Sequence, residues 1–192
     1  MGAANISMVD KAGVLHSDHS DLHDMNRDLA TQGAARTLEQ AMRGADVFIG
    51  VSAANALAPG LLKLMAANPI VFALANPDPE ILPDVAFAVR DDLIMATGRS
   101  DFPNQVNNAL CFPFLFRGAL DARARQITTA MQIAAAKALA ELAREPVPDA
   151  VLSAYTLTEL SFGKHYIIPK PFDPRLIERI PPRVAEAWLR EG

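Results

Sequence analysis

Short apolar runs alternate with helical stretches through the first two thirds of the chain. Four of these runs read as strands: Ile6–Asp10, Asp46–Gly50, Ile70–Ala75 and Leu93–Thr97. Uninterrupted apolar character of this kind marks strands buried on both faces of a parallel sheet. Between them, Thr37 with Gln40 makes a capping-box pattern that opens a helix over Leu38–Arg43, and Pro59 suits the first turn of a helix through Met65. The order β-α-β-α-β-α-β calls for right-handed crossovers with helices on both faces. The predicted fold is α/β, a partial doubly wound, Rossmann-like parallel sheet with an irregular helical C-terminal tail.

From Asn107 the pattern turns helical. Pro113 is expected to kink or split the first helix, and Ile127, Met131, Ala134, Ala138 and Leu142 mark the apolar stripe of a second. Glu145-Pro146-Val147-Pro148 breaks it. Beyond lie Pro169, Pro171, Pro174, Pro181 and Pro182 between short amphipathic pieces, so the expected division is an incomplete sheet domain over 1–145 and a wrapping tail over 146–192.

Composition narrows the function. A chain of 192 residues, 51% hydrophobic and 21% charged, can bury a real core. Net charge −4 leaves no basic surplus for gripping phosphate backbones, which argues against nucleic acid. No apolar run approaches the ~20 residues that span a bilayer, and no charged start leads into an apolar signal segment, so the expected location is the cytoplasm. The single cysteine, Cys111, has no internal disulfide partner and sits between Leu110 and Phe112 as a packed thiol. His16, His19 and His23 lie in a Ser/Asp-rich stretch that reads as a solvated loop, not a metal site.

Two polar segments follow predicted strands, where open parallel sheets bind their ligands. Asn76-Pro77-Asp78-Pro79-Glu80 follows Ile70–Ala75; the Asn76 amide could donate to a carboxylate or accept from a carboxamide, or the segment could simply be a turn. The second, Thr97 through Asn108, crowds polar groups at its tip and leads into a helix whose amide N–H groups, with Asn107 and Asn108, suit a small acid. Its plainer reading makes Asn104 an N-cap and Arg99–Asp101 a local ion pair. Asp10 closes the first run, where an acidic residue can meet an adenine ribose, although no Gly-x-Gly occurs in the chain.

Several stretches resemble the bacterial malic enzymes: Gly44-Ala45-Asp46-Val47-Phe48-Ile49-Gly50-Val51-Ser52, Phe72-Ala73-Leu74-Ala75-Asn76-Pro77, Ala96-Thr97-Gly98-Arg99-Ser100-Asp101-Phe102-Pro103-Asn104-Gln105-Val106-Asn107-Asn108 and Phe116-Arg117-Gly118-Ala119-Leu120-Asp121. The tail over 161–174 resembles the branch in which a phosphotransacetylase-like domain follows. The resemblance implies oxidative decarboxylation of (S)-malate to pyruvate and carbon dioxide, with NAD or NADP accepting hydride and Mg²⁺ or Mn²⁺ assisting. It also implies a homo-oligomer. On the same basis Asn76 and Asn107 would contact malate and the nicotinamide end, Ser52 and Asp10 would line the cofactor side, and Asn108 is a weaker candidate.

The family's Tyr and Lys acid–base pair, its metal-binding carboxylates and its glycine-rich pyrophosphate loop precede the part this chain matches. Tyr155 and Tyr166 match none of them. The expectation is therefore a catalytically incomplete fragment with no catalytic or metal-ligating residue of its own. The alternative is a non-catalytic interaction or nucleotide-binding module. Asp10 favours NAD while Lys11 beside it could meet a 2′-phosphate, which leaves the cofactor preference open. A sheet lacking its first strand is expected to expose the Ile6–Asp10 edge or leave it to other pairings.

Overall fold

The computed structural model describes residues 3–18, 22 and 24–191. Its first elements are a small antiparallel hairpin, β1 (Val9–Asp10) with β2 (Gly13–Val14), pairing Val9 with Val14 and Asp10 with Gly13. This corrects the expected strand Ile6–Asp10, which does not enter the parallel sheet. The cause is local: Asp10 Oδ1 accepts the Ala12 N–H at 2.7 Å and Gly13 adopts φ 123°, so the chain reverses directly after Asp10. A side chain at Gly13 would also strike the Arg36 carbonyl, its β-carbon falling 2.4 Å from that oxygen. Helices α1 (Asp24–Arg27) and α2 (Leu38–Met42) follow. The capping box of α2 forms as the sequence indicates, Thr37 accepting from Gln40 N–H while Gln40 reaches back to the Thr37 N–H.

The sheet proper has three parallel strands in the order β3 (Val47–Gly50), β4 (Ile70–Ala73) and β5 (Ile94–Thr97). Val47 aligns with Ile70 and Ile94 at one end, and Gly50 with Ala73 and Thr97 at the other. The β3-to-β4 connection carries a 3₁₀ helix over Pro59–Leu64 where an α-helix through Met65 is expected; Ala58 supplies no side-chain cap. The β4-to-β5 connection carries α3 (Pro83–Phe87). Leu62, Val71, Ala86 and Leu93 are fully buried between sheet and connections. The Ile6–Asp10 run goes to another pairing, the β1–β2 hairpin, and the open edge of the sheet itself is β3, with Val47 and Ile49 exposed to solvent.

After β5 a 3₁₀ turn, Asn108–Leu110, leads into α4 (Phe112–Asp121), with Pro113 in the first turn where its missing N–H costs nothing. Thus the proline splits the predicted helix. Next come α5 (Thr129–Leu142), α6 (Asp149–Ala154) and α7 (Leu176–Glu191). The expected short pieces around Pro181 and Pro182 are instead one helix of 16 residues. Leu176, Ile180, Pro181 and Val184 bury one face of it against α4 and α5, and burial worth ~1.5–3 kcal/mol per large apolar side chain offsets the hydrogen bonds the prolines forgo. At Gly118 of α4 an added β-carbon would lie 2.5 Å from the Pro181 carbonyl oxygen and 2.8 Å from Val184 Cβ. Only glycine lets these two helices approach so closely.

Candidate functional site

The carboxyl ends of the three parallel strands sit at one edge of the sheet, because all three run the same way in register. Past β3 comes Ser52, past β4 Ala75-Asn76, and past β5 Gly98 with its long polar loop. Backbone N–H groups beyond the last ladder bonds must find other partners. Here Glu80 supplies them. Its side chain is fully buried; Oε1 accepts from Ser52 N at 2.7 Å and Ser52 Oγ at 3.3 Å, and Oε2 accepts from Ala75 N at 3.1 Å. Gly50 makes the room, since a β-carbon there would lie 2.4 Å from Glu80 Cδ.

Asn76 is exposed and packs against Gly98, where a β-carbon would come within 3.2 Å of Asn76 Oδ1. The loops after β4 and β5 are joined again by Arg99, whose Nη1 donates to Asp78 Oδ1 at 3.2 Å. Arg99 also forks onto Asp101, with Nε at 2.9 Å and Nη2 at 2.6 Å, as the local ion-pair reading expects. That guanidinium holds the Asp101 carboxyl below the usual carboxylate range. Its cation also rests 5.3 Å from the Phe102 ring centroid.

The long loop closes on its own strand. Val106 N donates to the Thr97 carbonyl at 2.8 Å, returning the chain to the carboxyl end of β5 two residues after Asn104. Asn104 is not the helix cap. Buried at φ 55°, it donates from Nδ2 to the Met95 and Lys164 carbonyls at 2.9 and 2.7 Å and accepts Ile167 N–H at 2.9 Å. The cap is Asn107, whose Oδ1 accepts Ala109 N–H at 2.9 Å. Capping engages only the oxygen, leaving the Asn107 amide NH₂ with no hydrogen-bond partner among the described residues. Asn108 is likewise exposed.

Of the residues singled out from sequence, Ser52 and the residue before Asn76 are both held by Glu80, and the loop bearing Asn107 reaches the Asn76 loop through Arg99 and Asp78. Asp10 lies apart, exposed at the hairpin turn and bonded to its own backbone. His16 is buried, its Nδ1 accepting Asp18 N–H at 3.2 Å while Nε2 lies 3.1 Å from the Gly33 carbonyl; His19 and His23 fall outside the described residues. Cys111 is half-buried, which pushes its thiol pKa up. No group of three or more His, Cys, Asp or Glu side chains among the described residues could hold a metal ion. No helix among them is long and apolar enough to cross a membrane. Glu80 is the residue that sequence reasoning missed: it ends the quoted Asn76–Glu80 segment, but nothing in its type signals burial.

A parallel sheet flanked by helices, with polar loops gathered at its carboxyl edge, defines a Rossmann-like nucleotide-binding class. Residues 2–155 match the family described as "Malic enzyme, NAD binding domain", and the chain belongs to that family. It is 53% identical over 188 residues to the NADP-dependent malic enzyme of Halomonas elongata, covering 98% of this chain and 44% of that one. An NAD-dependent malic enzyme of Rhizobium meliloti is 50% identical over 189 residues, covering 98% and 24%. Among solved structures, the malic enzyme of Entamoeba histolytica superposes with a TM-score of 0.82 at 33% identity, over 97% of this chain and 37% of its own. The NAD-dependent malic enzyme of Thermotoga maritima gives 0.78 at 35% identity, over 94% and 45%. The chain therefore spans less than half the length of these relatives.

Proposed function

We propose that this chain supplies the nicotinamide-side wall of an NAD(P)-dependent malic enzyme, which converts (S)-malate to pyruvate and carbon dioxide. The observation that carries the reading is the joining of two asparagine-bearing loops at the carboxyl edge of the sheet, through Asn76 against Gly98 and Arg99 to Asp78. Asn76 and Asn107 then offer amide groups for a malate carboxylate and the nicotinamide carboxamide. Ser52 lines the cofactor side, and Asp10 at its hairpin turn meets the adenine ribose. The bound nicotinamide would accept hydride from malate. Fixing that ring is the work of these side chains, since small errors of orientation are costly in rate. Arg99, already satisfied by two carboxylates, stiffens the loops instead of binding substrate.

The described residues offer no ligand set for the Mg²⁺ or Mn²⁺ the reaction would use, so no step here passes through a metal. Metal ligands and the acid–base pair belong, on this reading, to a portion that the longer relatives carry. The resemblance of the tail over 161–174 supports membership of the phosphotransacetylase-linked branch, and on this reading the working enzyme is a cytoplasmic homo-oligomer.

The test joins this chain to the N-terminal portion of the Halomonas elongata relative and follows malate-dependent NAD(P) reduction, with the unjoined chain as an inactive control. Asn107→Asp keeps the capping oxygen but replaces the donating NH₂ with charge. It should leave Tm unchanged while kcat/KM falls at least about tenfold. Asn107→Ala should show the same kinetic loss plus a lost cap of about 1 kcal/mol. If kcat/KM per folded molecule is unchanged in both, Asn107 is only a cap and the reading loses its site.

A further inference from the structure

We infer that Glu80 is a positioning residue, which fixes the cofactor-side residue Ser52 and the substrate-side residue Asn76 relative to one another; its consequence for turnover rests on the function proposed above. The argument begins with what strand ends need. Ser52 N–H and Ala75 N–H lie past the ends of neighbouring parallel strands, in a place where a ligand or water would ordinarily satisfy them. One buried carboxylate takes both, with Oε1 on Ser52 and Oε2 on Ala75. Oε1 also accepts the Ser52 hydroxyl, so the side chain as well as the backbone is held.

The surroundings are shaped for that carboxylate. Gly50, the last residue of β3, lacks the β-carbon that would overlap Glu80 Cδ at 2.4 Å. The backbone on either side is tied down too: Asn55 N donates to the Pro79 carbonyl at 3.1 Å and Leu57 N to the Glu80 carbonyl at 3.0 Å. The loop after β3 is thereby docked onto the loop after β4. Asn76, one residue beyond Ala75, inherits its place from this clamp.

The clamp needs two acceptor oxygens. A glutamine offers one oxygen and one NH₂ group, so one of the two strand-end N–H groups would face a donor; an aspartate is one methylene too short to reach both. Glu80→Gln is therefore nearly isosteric and still unable to hold both ends. Gly50→Ala is the independent counterpart, displacing the carboxylate while Glu80 remains.

Amide hydrogen exchange on the 192-residue chain reads the clamp without any activity. Ser52 and Ala75 amides should be protected in the native chain, and at least one should exchange about tenfold faster in Glu80→Gln. In the joined enzyme, kcat per folded molecule should fall about tenfold or more while KM for NAD(P) stays within about threefold, and the double variant should be little worse than either single one. Protection of both amides equal to the native chain overturns the clamp. Kinetic losses that multiply in the double variant, or a lowered Tm with kcat and KM untouched, overturn the positioning role. If the joined native enzyme shows no malate-dependent turnover, the proposed function falls, while exchange still decides whether Glu80 holds the two strand ends.

Discussion

The two edges of the three-stranded sheet are built from similar apolar strands and end up in opposite conditions. At β5 the chain covers its own edge: the Met95 carbonyl is taken by Asn104 Nδ2, the Thr97 carbonyl by Val106 N–H, and the tail residues Lys164 and Ile167 are pinned to the same asparagine. At β3 the described residues provide a partner only on the β4 side, and Val47 and Ile49 are 47% and 62% exposed. An open apolar edge is a template for further pairing, whereas a covered edge is a rigid support. The site candidates straddle this difference: the loop with Asn107 springs from the covered edge, whereas Ser52 follows the open strand β3 and is held by Glu80.

The largest expected effect comes from opening that covered edge. Asn104→Ala deletes three hydrogen bonds at once and strands the Met95 and Lys164 carbonyls and the Ile167 N–H. At ~1–3 kcal/mol for each buried group left unpaired, the loss should be about 3–5 kcal/mol, allowing for partial rehydration near Lys164. The left-handed φ of 55° adds a little for alanine. Urea unfolding measures it, and a loss under ~1 kcal/mol would mean that the tail does not depend on this asparagine.

The next variant leaves the sheet alone and loosens what anchors the tail behind it. Gly118→Val drives a side chain into the Pro181 carbonyl and Val184, contacts already at the limit for α4 against α7. Overpacking of this kind costs ~1–3 kcal/mol. Amides of α7 should exchange faster while β3 and β4 amides do not, which would show that the helical half yields separately. Equal acceleration in α7 and in the strands would show that the α4–α7 contact also supports the sheet.

What the sequence disclosed depended on whether the determining interaction was local. The strands β3, β4 and β5, the α2 capping box and the Pro113 split all follow from periodicity or from contacts within four residues, and the structure has them. The Ile6–Asp10 run misled because apolar composition cannot report a reversal made by Asp10 and Gly13. The continuous α7 was hidden because prolines count against a helix locally, while the packing that offsets them comes from α4 and α5. In the site, loop chemistry pointed to Asn76 and Asn107. It assigned the cap to Asn104 instead of Asn107, because Asn104's three partners lie 9, 60 and 63 residues away. Glu80 escaped for the same reason, its Ser52 partner lying 28 residues upstream.

The smallest effect is expected at the opposite end of the strands from the site. Asp92, just before β5, accepts from Arg90 Nε and Nη2, both at 2.6 Å, and from Asn68 N at 2.7 Å; Arg90 also donates to the Leu62 and Ala66 carbonyls at 2.7 and 2.9 Å. The guanidinium and the Asn68 N–H hold the Asp92 carboxyl well below the usual carboxylate range. A depressed folded-state pKa favours the folded protein once the unfolded form has ionised, so the contribution is present above about pH 4 and lost as pH falls below it. Because the pair is partly solvated, that contribution is modest. Asp92→Asn should therefore lower the urea midpoint slightly at pH 7, and the gap to the native protein should close as the pH is taken below about 4. The Asn107 kinetics should not change, since Asp92 and Arg90 tie the amino-terminal ends of β4 and β5 and the site lies at their carboxyl ends. A gap that stays constant or widens in acid would show that the stability lies in Arg90's carbonyl contacts and not in the carboxylate.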